Sequence, residues 1–314
     1  MENSLSIYLK SIKIPEKSSH KGQNGRLLLV GGSHLFHAAS LWSLTTASRI
    51  VDLVHYASIE ENNKIVQNRK EEFRNGIIIP RSEIESYIDE DDCILIGPGM
   101  VREDQKSIRQ LADKKQKYIS KIKNLKEVNQ IQDEGVLTYY LTKYLLEKYP
   151  HKKWVIDAGS LQMMELSWIP KNAILTPHRK EFEMLKFKVQ SEKLKVFLKT
   201  KKLDEQLKLF AKEYNCIILL KGEVDYIASP TQFEKIEGGN AGMTKGGTGD
   251  VLAGLVAALY CKNDAFSSAV VASYINKKAG DDLFKTHGYW FNASDLSNQI
   301  PKTMKEVFER TSPK

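Results

Sequence analysis

Short apolar runs rich in β-branched residues recur along this chain, at 27–30, 53–57, 77–79, 93–96, 154–156, 173–175 and 217–220. Each is strand length, and being apolar at successive positions each needs cover on both faces. Between several of them lie helical stretches, at 38–50, 136–148 and 202–214. Strand and helix in alternation predict an α/β fold with a mainly parallel central sheet and helices on both faces. Many of the runs end in a glycine or a functional side chain: Gly31-Gly32-Ser33, Gly97-Pro98-Gly99, Asp157-Ala158-Gly159, Thr176-Pro177-His178 and Lys221-Gly222. Ligands of open α/β sheets sit at the carboxyl ends of strands, so these turns are expected on one rim.

The rest of the composition narrows the class. A chain of 314 residues buries a proper core, and nothing in it marks a second domain, so residues 1–314 are read as one domain. Two lysine-rich stretches, near 102–132 and 186–202, interrupt the pattern and are expected as charged surface insertions or solvated helical faces. The formal charge of +8 comes from lysines mixed with acidic residues, the pattern of a solvated surface and not of a nucleic-acid patch. No run approaches the ~20 apolar residues of a membrane span, and the first residues carry no export signal, which makes the cytoplasm the expected location. Cys93, Cys216 and Cys261 stand alone inside apolar runs, without metal spacing, and are expected in the core.

The chemistry concentrates in residues 238–259, GGNAGMTKGGTGDVLAGLVAAL, where a glycine-rich turn runs into an alanine-rich helix. Gly246, Gly247 and Gly249 remove side chains, so that consecutive N–H groups face an anion while the helix beginning near Thr248 adds the positive end of its dipole. Asp250 falls in the first helical turn. Phosphoryl transfer to a hydroxyl requires a carboxylate base beside the nucleophile and donors around the transferring group, and this segment offers both. Neither GxxxxGK[ST] nor a GxGxxG after the first strand is present, which argues against P-loop nucleotidases and Rossmann dehydrogenases.

GGTGDVLAG resembles the anion-hole and catalytic-aspartate motif of the ribokinase-like superfamily. The longer GN-x-GMTKGGTGDVLAGL resembles its NAD(P)H-hydrate dehydratase branch. GRLLLVGGS, CILIGPG, WVIDAGSLQ, ILTPHRKEF, IILLKGEVDYIASP and FNASDLSNQIP follow in the family's order, covering roughly residues 25–301. The resemblance implies a ribokinase-like sheet of about eight strands and a two-step reaction. ADP, or ATP in some relatives, phosphorylates the hydroxyl of the hydrated nicotinamide ring, and phosphate then leaves to regenerate NAD(P)H. Asp250 would accept the hydroxyl proton, and the amides from Gly246 to Gly249, Gly247 and Thr248 included, would hold the charge on the transferred group. Magnesium is expected with the nucleotide.

Site residues carry over one by one. Lys221, Gly222, Glu223, Val224 and Asp225 match the strand-turn segment along the adenine nucleotide, and Gly249 touches the same ligand. Ala39, Gly99, Asp157, His178, Asn240 and Asp250 fall on the substrate side; Glu181 either supports His178 or caps its helix. Ala38-Ala39 replaces a glycine-alanine pair and Met100-Val101 follows Gly99 where a further glycine is common, which points to an altered substrate end. The resemblance further implies a homo-oligomer and an epimerase on a separate protein. Two other classes stay open on sequence: a small-molecule kinase for a vitamin-precursor alcohol, and a non-catalytic nucleotide- or RNA-binding protein.

Overall fold

The computed structural model describes residues 2–68, 76–102 and 122–311. Among these residues nine strands form one sheet: β1 (Arg26–Val30), β2 (Leu53–Ala57), β3 (Ile77–Ile78), β4 (Cys93–Ile96), β5 (Lys153–Ile156), β6 (Ile174–Leu175), β7 (Ile217–Leu220), β8 (Asp225–Ala228) and β9 (Phe233–Ile236). Their spatial order is β3-β2-β1-β4-β5-β6-β7-β8-β9. The first seven pair in parallel, while β8 and β9 are antiparallel to their neighbours. The chain builds outward from β1 through β3, then returns to β4 on the other side. The C-terminal ends of β1 and β4 thus flank the switch point, where such sheets open a crevice.

Side chains alternate between two cores because the strand period is two. Leu27 and Leu29 of β1, Cys93 and Leu95 of β4, Val155 of β5 and Ile217 and Leu219 of β7 face one core. The helices Glu2–Ser11, His37–Ala47, Thr248–Lys262, Ala265–His287 and Ala293–Thr311 supply the other side of that core. Leu28 and Val30, Ile94 and Ile96, Trp154 and Ile156, and Ile218 and Leu220 face the second core, covered by Glu134–Lys148, Arg179–Phe187, Glu192–Thr200 and Leu203–Tyr214. All three cysteines are buried free thiols, as their apolar settings imply.

The Thr248–Lys262 helix is buried at every position from Val251 to Cys261. A helix apolar on all sides belongs inside. It lies close against His37–Ala47 because Gly254 has no side chain: a Cβ there would stand 2.5 Å from the Ser43 carbonyl oxygen. The same contact lets the Ser43 hydroxyl donate to the Asp250 carbonyl at 2.8 Å. Gly254→Val is therefore expected to lower the melting temperature by about 3–10 °C, the usual effect of overpacking a filled interior. Calorimetry checks this.

Two features differ from the sequence expectation, and a third, the solvated helical face expected in the second lysine-rich stretch, is seen. The β8–β9 hairpin was not anticipated: β8 is DYIA and β9 is FEKI, four residues each, with little apolar length to mark them. Within the first lysine-rich stretch, residues 103–121 lie outside the described residues, and in the described part Leu125, Val128 and Ile131 are core residues, not surface. In the second stretch the Glu192–Thr200 helix buries Leu194 and Leu198 and turns its charged side chains outward, an amphipathic helix laid on the second core. No helix among the described residues is long and apolar enough to cross a membrane.

Candidate active site

The expected rim forms. β4 ends at Gly97, whose φ is +119° and whose missing Cβ would lie 1.9 Å from the Asp157 carbonyl oxygen, so only glycine lets the β4 turn close over the end of β5. Asp157 follows β5 and is 2% exposed. Its Oδ1 accepts from the Thr176 hydroxyl at 2.7 Å and pairs with the Lys221 ammonium at 2.9 Å. Lys221 ends β7, with its backbone N–H donating to the Pro177 carbonyl at 2.8 Å and bridging to His178. Three strand ends are thereby tied into one polar cluster.

The glycine turn meets this cluster from the opposite core. Gly247 has φ +96° and caps the Thr248–Lys262 helix; a Cβ on it would strike the Trp42 ring at 2.4 Å. Trp42 is fixed by its indole N–H, which donates to the Ser294 hydroxyl at 3.2 Å. A Cβ on Gly246 would meet no atom within 4 Å, so this part of the turn is open. The side of Gly249 faces Lys221, whose Nζ would be 3.5 Å from a Cβ there. The Thr248 hydroxyl donates to the Met243 and Lys245 carbonyls at 2.7 and 3.0 Å, and its N–H leans on the Lys245 carbonyl at 3.4 Å. Thr248 thus orders the turn, which leaves the glycine amides as the better donors.

Asp250 stands in the first turn of that helix, half-buried. Burial and the negative charge of Asp157 push its pKa up to about 7, with Lys221 opposing and Glu181 adding to the rise. A carboxylate poised near neutrality is suited to take a proton. Burial works against the charge of Lys221, yet Asp157, Glu181 and Asp250 outweigh it and raise its pKa. Turnover that uses Asp250 as base should therefore show an acid limb near pH 7, read from a pH–rate profile. The stability linkage has the opposite sign from that of a salt-bridged aspartate. Because the folded value lies above the ordinary 3.8, the fold is favoured by protonation, and this contribution is lost as pH rises through about 7. Asp250→Asn is expected to raise the melting temperature of the ligand-free protein by a few degrees at pH 8 and by less at pH 4.

His178 caps the Arg179–Phe187 helix: its Nδ1 accepts from the Glu181 N–H at 3.1 Å, and Glu181 Oε2 accepts from the His178 N–H at 2.8 Å. The two roles that the sequence left open for Glu181, support of His178 and helix cap, are one arrangement. A cleft of about 730 Å³ opens beside Lys221 and Gly249, within the usual size of a small-molecule site. His178, Gly222, Glu223, Asp225 and Asn240 also line it.

The remaining candidates divide. Val224 is not among the residues lining the cleft; its carbonyl turns toward Gly222. Asp225 is 4% exposed and its carboxylate is used internally, accepting from the Gly222 N–H at 2.9 Å and the Ser273 hydroxyl at 2.7 Å, so it shapes the loop. Asn240 lines the Lys221 cleft, as His178 does; its amide accepts from Gly242 N–H and donates to the Gly280 carbonyl. Gly99 and Ala39 come together across the switch point, 3.1 Å from a Gly99 Cβ to the Ala39 Cβ, away from the lining of that cleft. Met100 is 5% exposed and packs beneath Gly159, so this departure is directed into the core. One residue was missed. Lys277, 5% exposed, donates to the carbonyls of Gly222, Glu223 and Gly238 at 3.0, 2.8 and 3.2 Å, tying together the two loops that wall the cleft. In sequence it is half of a Lys-Lys pair, which reads as surface.

Fold and site together define an α/β protein of ribokinase-like architecture with a glycine-capped helix end beside a carboxylate. A ribokinase-like superfamily protein from Enterococcus faecalis shares the fold at TM-score 0.69, with 20% identity and coverage of 96% of this chain and 94% of that one. The ADP/ATP-dependent NAD(P)H-hydrate dehydratase from Bacillus subtilis, crystallised with ATP and Mg²⁺, shares it at TM-score 0.68, with 21% identity and 96% coverage of either chain. The NAD(P)H-hydrate dehydratase family matches residues 27–302, and the chain belongs to that family. The ADP-dependent (S)-NAD(P)H-hydrate dehydratase of Nitrosopumilus maritimus is 32% identical over 305 residues, 94% of each chain. The chain spans about half the length of several other curated relatives it matches, archaeal bifunctional NAD(P)H-hydrate repair enzymes.

Proposed function

We propose that this chain is an ADP-dependent NAD(P)H-hydrate dehydratase. The observation that carries the reading is the placement of Asp250 at a glycine-capped helix end, beside Gly249 and Lys221, which line a nucleotide-sized cleft. The name of the Nitrosopumilus relative supports ADP over ATP.

ADP occupies the cleft with its β-phosphate toward Lys221 and the amides of Gly246, Gly247 and Gly249. The hydrated ring enters over Gly99 and Ala39 from the switch-point side. Asp250 takes the proton of the ring hydroxyl as its oxygen attacks the β-phosphorus, and the bond to the α-phosphate oxygen breaks, releasing AMP. The glycine amides hold the charge that develops on the transferred group, a role whose loss typically costs ~10²–10³-fold in rate. Phosphate then departs with the C–O bond electrons while the neighbouring ring proton passes to the leaving phosphate or to water, and the double bond of NAD(P)H returns. Hydroxide, a poor leaving group, has been replaced by a good one.

Magnesium fits as a companion of the nucleotide. Among the described residues no three acidic, histidine or cysteine side chains gather to cage a metal, and the Asp157 carboxylate is already paired with Lys221 and Thr176. Mg²⁺ commonly keeps its waters and binds through substrate phosphates with at most one or two carboxylates. Bound in that way it would neutralise phosphate charge.

The test is incubation with hydrated NADH, Mg²⁺ and ADP, following the return of dihydronicotinamide absorbance. Recovery supports the proposal. No recovery with ADP or ATP, or accumulation of a stable phosphorylated alcohol from another substrate, would remove it in favour of a small-molecule kinase.

A further inference from the structure

Two polar residues lie side by side and buried in the middle of the Ala265–His287 helix, and they are used differently. Lys277 is saturated: it donates to the carbonyls of Gly222, Glu223 and Gly238 and stands 3.5 Å from the Asp225 carboxylate. Asn276 is 4% exposed, yet its Oδ1 is covered and has no hydrogen-bond partner among the described residues. Buried side-chain acceptors are nearly always paired, so an idle one calls for a group from outside the chain. Asn276 lines the cleft, which is where such a group can arrive.

The surroundings of Asn276 define the kind of group. Gly249 and Leu252 stand three residues apart on one face of the Thr248–Lys262 helix, and both line the cleft. The cleft therefore runs from a phosphate end, at Lys221 and Gly249, to an apolar end at Leu252. Met243 closes that end: a Cβ on Gly280 would stand 2.2 Å from its Sδ, and one on Gly239 would stand 3.0 Å from the same atom. Gly280 is one turn along its helix from Asn276, on the same face, so the thioether, the leucine and the amide border one space. A thioether and a leucine suit the faces of a flat ring, and a single side-chain amide suits its polar edge. A turn of the amide about its Cβ–Cγ bond brings Oδ1 to the cleft, where it accepts while Nδ2 donates. Adenine offers the matching edge, an amine beside a ring nitrogen, which asparagine reads with both ends of its amide.

We propose that Asn276 selects the base of the co-substrate, its Oδ1 accepting a hydrogen bond from the 6-amino group of adenine. The inference deepens the dehydratase reading and rests on it for a nucleotide that occupies the cleft with its phosphates at Lys221. It does not depend on the chemistry at Asp250.

The experiment compares ADP with purine riboside 5′-diphosphate, which carries hydrogen in place of the 6-amino group, on the wild-type protein and on Asn276→Leu. Leucine is close to asparagine in size and removes the idle acceptor, so the melting temperature should hold or rise. By calorimetry, wild type should bind ADP at least about tenfold more tightly than the analogue, while Asn276→Leu should bind the two within about threefold of each other. In the NADH-recovery assay, Asn276→Leu should raise KM for ADP by about tenfold and leave kcat nearly unchanged. Binding is read without turnover, so a failure of the dehydratase reading leaves the calorimetric result standing. Equal binding of the two nucleotides by wild type, a preference for ADP that survives in Asn276→Leu, or no binding of either nucleotide would overturn the inference. A leucine variant that melts well below wild type would show the amide already in use within the fold, and would overturn it as well.

Discussion

Asp250→Asn should lower kcat by about 10³-fold while changing the dissociation constant of ADP by less than about threefold, as measured by single-turnover kinetics and calorimetry. Asparagine preserves the size and the helical position of the side chain but cannot accept the hydroxyl proton. The surroundings of the phosphate, Lys221 and the glycine turn, are untouched by the change. If kcat fell no more than severalfold, some other group would be the base, and the raised pKa of Asp250 would only record its burial. A parallel loss of ADP binding would show that Asp250 serves the nucleotide and not the acceptor.

Lys221→Ala has a large expected effect of a different kind. It removes a cation from the phosphate end of the cleft and strands Asp157, which is 2% exposed. Breaking a fully buried ion pair costs about 3–5 kcal/mol; because Lys221 keeps 19% of its side chain exposed, about 2–4 kcal/mol is expected at neutral pH. ADP should bind at least tenfold more weakly, the usual scale for a lost charge-assisted hydrogen bond. The double variant Asp157→Asn/Lys221→Ala separates the two effects: stability should recover in large part because the carboxylate paired directly with Lys221 is neutral, while ADP affinity should not. Denaturant melts and calorimetry on the four proteins form the cycle. Equal loss of affinity with no loss of stability would mean that the pair is not a structural element of the rim.

The parts of this site that were legible in the sequence are those in which local chemistry and local geometry coincide. The strand ends announced themselves because apolar runs stop abruptly at Gly97, Asp157, Thr176 and Lys221, and the helix cap because the Gly246–Asp250 segment holds both the donors and the acid. Contacts that close over long sequence distance were not legible. Lys277 binds carbonyls of Gly222 and Glu223, more than fifty residues earlier in the chain, and no local pattern distinguishes it from its neighbour Lys278, which pairs with Asp282 on its own helix. The β8–β9 hairpin escaped notice because an edge ribbon needs apolar residues on one face alone, and four-residue strands give too short a period to read. Glu181 offered two roles on paper, and the structure joins them in a single hydrogen-bonded pair.

The central claim is that the ring hydroxyl leaves as part of a phosphate group. Hydrated NADH carrying a heavy-oxygen label in that hydroxyl, incubated with the enzyme, Mg²⁺ and unlabelled ADP in ordinary water, tests it directly by mass spectrometry of the products. The proposed chemistry predicts one labelled oxygen in each inorganic phosphate released, together with AMP in equal amount to the NADH recovered. Label found in water, with unlabelled phosphate, would mean that the hydroxyl leaves without being phosphorylated and would contradict the roles of Asp250 as base and of the glycine turn as phosphoryl cradle.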